Sequence, residues 1–270
     1  MDKSTDKQNS DITITIITVC RNAEKTIGKT IDSVISQTYK PIEYIIIDGM
    51  SEDGTLPIIK EKIGDYPICF ISESDNGIYD AMNKGLNLAR GDYVQFLNAG
   101  DELKDEKVIE NVVSEMKLHH GDIYYGSIIY QYDHGKTEIR KYNTLCGKRF
   151  YYYTGDCINH QALFASKQCF MDEKFNVSYK ICADREWMIR MCRKKMKFIC
   201  MPLIICRYSL DDSSVSIVQN DLYKVEAAQC IKRHFPVGYL VFCIFDLIRK
   251  NIFLSKLLHF IYRIAFIRIK

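Results

Sequence analysis

The chain has 270 residues, of which 47% are apolar and 26% charged, and these globular proportions exclude disordered, collagen-like, coiled-coil and disulfide-scaffold classes. Lys plus Arg number 37 against 34 Asp plus Glu, a net charge of +3 that is too near balance to argue for nucleic acid as a partner. No apolar run reaches the roughly 18 residues of a membrane span, and the polar start MDKSTDKQNSD lacks the apolar core of a secretory signal. Eleven cysteines without a C-x-x-C pair then fit reduced thiols in a cytoplasmic chain.

Residues 1–11 read as a flexible tail. Ile12–Val19 reads as a β-branched strand, and Lys25–Gln37 carries Ile27, Ile31, Val34 and Ile35 at helical spacing. Ile42–Ile47 fits a buried strand. The polar turn Asp48–Gly54 follows, then a short helix with Ile58, Ile59 and Ile63. Ile68–Ser72 is the third strand. Tyr79–Ala89 reads as a helix with Ala81, Met82, Leu86 and Ala89 on one side. Asp92–Leu97 is the fourth strand and ends in Asn98-Ala99-Gly100-Asp101. This alternation predicts an α/β domain with a largely parallel sheet between helices. Ligands of such sheets bind beyond the carboxyl ends of the strands. The turns at 48–54, 73–77 and 98–101 all follow strands, so they are expected on one rim. Beyond them, Ile123–Tyr130 and Thr137–Tyr142 read as antiparallel strands. Phe164–Phe170 and Phe198–Arg207 add strand character, with a helix near Ala183–Lys194 between them. The second half is therefore expected to be antiparallel.

Each polar turn has two readings. Asp48, Ser51 and Asp53 can accept from a ribose or a base, or they can form a turn in which Asp53 or Thr55 caps the next helix. Asp75, Asn76, Gly77, Asp80, Asn83 and Lys84 lie on a turn and the helix after it. Lys84 can neutralise a phosphate or pair with Asp80 at i, i+4. Asp101 can supply oxygen to Mg²⁺ or Mn²⁺, or belong to a turn favoured by Asn98 and Gly100.

Taken together, Thr15–Asn22 (TIITVCRN), Ser33–Thr38 (SVISQT), Asp48–Thr55 (DGMSEDGT) and Gly91–Asp101 (GDYVQFLNAGD) resemble family 2 glycosyltransferases of the GT-A fold. Asp75–Gly85 (DNGIYDAMNKG) is similar to the branch of bacterial colanic-acid and capsule glycosyltransferases. The resemblance is dense over 12–101 and thinner over 102–215. It implies a GT-A domain at 12–215 and a C-terminal helical extension at 216–270. The implied activity is inverting transfer from a nucleotide-sugar, by family a UDP-sugar, to a hydroxyl of a lipid-linked or oligosaccharide acceptor in surface polysaccharide biosynthesis. The resemblance implies that the turn carrying Val19, Arg21 and Asn22 touches the nucleotide. Asp48 would lie by the base, supported by Ser51 and Asp53. The family's Asp-x-Asp metal motif matches Asn98-Ala99-Gly100-Asp101. Only Asp101 keeps a charge there, so affinity for Mg²⁺ or Mn²⁺ is expected to be weak without nucleotide. Cys182–Trp187 (CADREW) resembles the acidic loop facing the acceptor, with Asp184 as catalytic base and Glu186 in reserve. Asp184 could otherwise be an N-cap. His160, in His160-Gln161, would line the site, and Asp211-Asp212-Ser213-Ser214 matches a loop near the diphosphate.

Two other functions stand beside this one. The thinned metal motif suits a non-catalytic nucleotide-sugar binding subunit. A dinucleotide-dependent oxidoreductase is disfavoured, because no G-x-G-x-x-G follows the first strand. Residues 237–270 carry no acid after Asp246, while Arg249, Lys250, Lys256, Arg263, Arg268 and Lys270 interrupt apolar stretches. That composition fits helices lying in an anionic membrane surface, here the inner face of the cytoplasmic membrane. The alternative is packing on the core or on a second copy in a homodimer.

Overall fold

A computed structural model describes residues 11–64, 66–132, 135–145, 157–171, 173–210, 220–236, 239–240 and 243–244. The loop at 211–214 and nearly all of 237–270, the expected membrane segment, lie outside the described residues, as does the tail at 1–10. Among the described residues no helix is long and apolar enough to cross a membrane.

The first half alternates as expected: β1 (Ile14–Cys20), α1 (Ile27–Ile35), β2 (Ile42–Asp48), α2 (Thr55–Ile63), β3 (Ile68–Ser72), α3 (Ile78–Leu88) and β4 (Tyr93–Phe96). The short β5 (Glu102–Leu103) and α4 (Val108–Leu118) follow. The second half adds β6 (Ile123–Tyr132), β7 (Thr137–Arg140), a 3₁₀ turn at His160–Ala162, β8 (Leu163–Ser166), α5 (Gln168–Met171), α6 (Ala183–Arg193), β9 (Phe198–Leu210) and α7 (Asn220–His234). All nine strands join one sheet in the order β3-β2-β1-β4-β8-β6-β9-β5, with β7 paired to β6.

Strands β1 to β4 run parallel, Ile14 lying opposite both Ile42 and Tyr93. Helices cover both faces of this part, so β1 and β2 are almost wholly buried and read as near-continuous isoleucine runs. The polar residues inside β1 are paired. Thr18 Oγ1 donates to the Leu97 carbonyl at 2.8 Å, and Thr15 Oγ1 donates to Glu43 at 2.6 Å. Helix α3 lies on β1 and β2, and Gly85 permits its closest approach. A Cβ at Gly85 would stand 2.5 Å from Ile17 Cγ2.

The second half departs from expectation in two ways. Strand β8 is antiparallel to β4 and β6, but the long β6–β9 ladder is parallel. Strand β8 runs down from the rim, residues 173–182 climb back, and α6 runs down again. Strand β9 therefore starts at the same end as β6, and a helical crossover of this kind makes a parallel pair. Strand character also ends at Ser166 rather than at Phe170, because Gln168–Met171 turns into α5.

Candidate active site

The carboxyl ends of β1, β2 and β4 form one rim. The loops after β1 and β2 are tied together by side-chain-to-backbone hydrogen bonds. Asn22, in the left-handed region at φ 51°, donates its N–H to Ser51 Oγ at 2.7 Å. Its Oδ1 accepts the Glu52 N–H at 3.0 Å. Asp53 accepts the Thr55 N–H and hydroxyl on one oxygen and the Glu24 N–H on the other. Asp53 therefore closes the turn before α2, whose N-cap is Gly54 rather than Asp53 or Thr55. Across the sheet, the Val19 carbonyl accepts the Ala99 N–H at 3.2 Å and joins the β1 loop to the β4 loop.

Asp48 is fully buried at the end of β2. One oxygen accepts from Ser51 Oγ at 2.5 Å and Cys20 Sγ at 3.6 Å. The other accepts from Ser51 N–H at 3.0 Å and Ser72 Oγ at 2.7 Å. Four internal donors meet this carboxylate and use it to shape the loop. The half-buried acid beside it is Asp75. Gly49 lacks the Cβ that would overlap the Asp75 carboxylate and stand 3.4 Å from Arg21 Cδ. Arg21, Gly49 and Asp75 therefore meet at one point of the rim. Met50 stands next to them at φ 56° and 56% exposed.

The segment 75–85 does more structural work than its sequence suggests. Asp75 accepts the Gly77 N–H, and Asp80 accepts the Asn76 N–H. Lys84 is held by Glu73 at 3.0 Å, the Ser74 carbonyl at 2.5 Å and Asp80 at 3.8 Å, which occupies the ammonium expected to meet a phosphate. Asn83 uses its whole amide on the backbone of Phe175, donating Nδ2 to the carbonyl and accepting the N–H on Oδ1. Tyr79 and Asn83 are spaced i, i+4, so both project from the face of α3 that packs on residues 175–184.

Tyr79 was not singled out from the sequence, although it lies inside the most distinctive motif. Its buried hydroxyl is shared between the Ile181 carbonyl at 2.5 Å and Asp184 Oδ1 at 3.0 Å. Burial, with the Asp184 charge beside it, holds its phenol well above the ordinary tyrosine value.

Asp184 stands in the first turn of α6, whose N-cap is Cys182. Its Oδ1 also accepts the Arg185 N–H at 2.7 Å, and its Oδ2 lies 3.0 Å from His160 Nδ1. The other ring nitrogen, Nε2, is 3.0 Å from Asn98 Nδ2. With the Asn98 amide donating to Nε2, Nδ1–H donates to Asp184. The Asp184 side chain is 17% exposed, so its carboxylate keeps access to the rim. His160 is itself held through its neighbour. Asn159 Oδ1 accepts the hydroxyls of Tyr130 at 3.0 Å and Tyr142 at 2.5 Å.

Glu186, the reserve candidate, points elsewhere. Two residues along a helix turn the side chain by roughly 200°. Its oxygens take His234 Nε2 at 2.7 Å and Arg190 Nε at 2.8 Å, and the side chain is 3% exposed. Burial works to raise its pKa, but the His234 hydrogen bond and the Arg190 charge outweigh it and hold the carboxyl below the ordinary value. Glu186 fastens α6 to α7 and does not face the rim.

Asp101 ends the β4 loop. It is 3% exposed, and Gln161 Nε2 donates to its Oδ2 at 3.0 Å. Burial pushes its carboxyl up to about 7, against the Gln161 hydrogen bond and the nearby His160. Around it, Gln95 Oε1, Asn98 Oδ1 and Gln161 Oε1 are buried acceptors without a hydrogen-bond donor. Among the described residues no group of three or more His, Cys, Asp or Glu is arranged to hold a metal. One carboxylate and orphaned amide oxygens form a hard-oxygen set. Such a set fits a divalent ion whose remaining ligands come from phosphate and water.

Residues 15–177 match the family model described as Glycosyl transferase family 2. The chain belongs to that family. This makes it a glycosyltransferase and removes the oxidoreductase and the non-catalytic binding subunit. It is 30% identical over 180 residues to a PGL/p-HBAD biosynthesis glycosyltransferase of Mycobacterium bovis, covering 65% of this chain and 68% of that one. It is 35% identical over 99 residues to the Escherichia coli UDP-Glc:alpha-D-GlcNAc-diphosphoundecaprenol beta-1,3-glucosyltransferase WfaP, covering 37% of this chain and 39% of WfaP. The fold is GT-A. The crystal structure of S. aureus TarS 1-349 in complex with UDP-GlcNAc superposes with a TM-score of 0.65 at 16% identity, over 83% of this chain and 68% of that one. In the TarS 1-349 structure without a named ligand the chain spans 66% of the length. The family match ends before α6, so Asp184 and α7 lie outside it.

Proposed function

We propose that this glycosyltransferase moves a sugar, with inversion, from a nucleoside-diphosphate sugar to a hydroxyl of a lipid-linked or oligosaccharide acceptor in surface glycan assembly. UDP is the favoured nucleotide, since UDP-Glc stands in the name of WfaP and UDP-GlcNAc in the TarS complex. The diphosphoundecaprenol in the name of WfaP favours a lipid-linked acceptor.

The observation that carries the reading is the hydrogen-bonded line Asn98–His160–Asp184. It joins the loop at the end of β4, where the diphosphate is expected, to a partly exposed carboxylate at the start of α6. An acceptor hydroxyl must lose its proton as it bonds to the anomeric carbon, and a carboxylate within hydrogen-bond reach can take it. Asp184 is assigned that role. Tyr79, His160 and the Arg185 N–H orient it. Arg21 and Asp75 flank Gly49 on the donor side, where Arg21 suits phosphate and Asp75 suits a ribose or base donor. Asp101, with the amide oxygen of Asn98, would hold Mg²⁺ or Mn²⁺. When bound, the ion neutralises charge on the leaving diphosphate. The leaving group needs no protonation, so one carboxylate suffices for the proton chemistry.

Asp184→Asn tests the reading. UDP release from UDP-glucose or UDP-N-acetylglucosamine with Mn²⁺ should fall by orders of magnitude with UDP binding retained. Wild-type kcat in that variant ends the assignment.

A further inference from the structure

We infer that the C-terminal helix α7 is a working part of the active site, and that Glu226 is the residue through which it positions Asp184. The inference rests on Asp184 being the base. Glu226 is 5% exposed and projects from the middle of α7 into the segment just before α6. Its Oε1 accepts the Lys180 N–H at 2.8 Å, and its Oε2 accepts the Ile181 N–H at 2.9 Å and the Cys182 N–H at 3.0 Å. Three consecutive backbone donors thus converge on one carboxylate. Charge-assisted bonds of this kind are short, directional and costly to leave unmade once buried.

The clamped residues are those that set Asp184. Cys182 is the N-cap of α6, so its position fixes where the first turn begins. The Ile181 carbonyl accepts the same Tyr79 hydroxyl that reaches Asp184 Oδ1. Glu226 therefore holds the segment from one side while Tyr79 of α3 holds it from the other. Helix α7 is fixed in turn at two more points: Arg185 donates to Tyr223 at 3.3 Å, and His234 pairs with Glu186 at 2.7 Å. Both partners of α7 in these contacts lie on the helix that carries Asp184. A shift of α7 is transmitted to Asp184 through backbone hydrogen bonds, without contact between α7 and the substrate. Glu226 is a positioning residue.

The test uses the full chain with Glu226→Ala and the milder Glu226→Gln, beside Asp184→Asn. Glutamine keeps the volume but turns an N–H₂ toward one of the three N–H donors. Amide hydrogen exchange of the peptide spanning 179–183 should speed up at least about tenfold in Glu226→Ala, with β1 and β2 protected as in the wild type. UDP release from UDP-glucose or UDP-N-acetylglucosamine with Mn²⁺ should fall about 100-fold in Glu226→Ala and less in Glu226→Gln, with UDP affinity unchanged. Asp184→Asn should lose turnover with no change in exchange. Wild-type kcat in both Glu226 variants beside an inactive Asp184→Asn overturns the inference and leaves Asp184 as base. A loss of UDP affinity matching the loss of kcat also overturns it, since Glu226 would then merely hold the fold. Wild-type turnover in Asp184→Asn removes the base instead, and the exchange result still decides whether Glu226 holds the segment.

Discussion

The Asp184 carboxylate is joined to the imidazole of His160 at 3.0 Å, and neither residue is near the other in sequence. One opens helix α6; the other opens the turn before β8. Their meeting brings the two halves of the sheet to one point, because the far side of the imidazole is held by Asn98 at the end of β4.

Replacing His160 by alanine removes the donor that orients Asp184 and leaves the Asn98 amide without its acceptor. The stability cost is expected at about 1–3 kcal/mol, the usual penalty for an unpaired buried polar group. The larger effect is expected on turnover, a fall of about 10- to 100-fold from loss of alignment. UDP affinity, measured by calorimetry, should stay near wild type, since His160 meets the donor side only through Asn98.

Asp101 makes stability depend on pH in a defined direction. Its carboxyl is pushed from the ordinary 3.8 up to about 7 by burial. Between those values the folded chain holds a proton that the unfolded chain releases, so rising pH lowers stability across that window. In EDTA, the melting temperature of Asp101→Asn should gain on that of the wild type as pH rises from 4 to 7. Adding Mn²⁺ with UDP should raise the wild-type melting temperature and leave that of Asp101→Asn nearly unmoved. A parallel pH profile in the two proteins contradicts the burial argument.

Glu186 carries the opposite sign. Its carboxyl is held below the ordinary 4.5, so its contribution is present above that pH and is lost as pH falls through the folded value. Glu186→Ala leaves His234 Nε2 without its partner, while Arg190 keeps Glu173 and the Lys174 carbonyl, and should cost about 1–3 kcal/mol at neutral pH, with the difference from wild type shrinking in acid. UDP binding by the folded fraction should be retained. Urea unfolding at neutral and acid pH checks the size and the sign.

The rim was legible in the sequence because it rests on local patterns. Buried parallel strands read as apolar runs, and each run stops at a polar turn, as at Asp48 and Asn98. What each polar group does was not legible, since its partners are distant along the chain. Asp48 is saturated partly by Ser72, a residue of the next strand but 24 positions away. Asn83 and Tyr79 look like ordinary helix positions until residues 175–184 are packed on them. Asp184 and Glu186 are close neighbours in sequence, and only the helical turn sends one to the rim and the other under α7. The parallel β6–β9 pair escaped for a related reason. Strand direction depends on how many times the chain crosses the layer between them, which periodicity alone does not count.

A crystal structure with UDP-N-acetylglucosamine and Mn²⁺ tests the central claim most directly. The account predicts the diphosphate at the loop of Asn98 and Asp101. The anomeric carbon should face Asp184, separated from its carboxylate by room for one hydroxyl. A nucleotide bound away from that loop, or an anomeric carbon turned from Asp184, contradicts it.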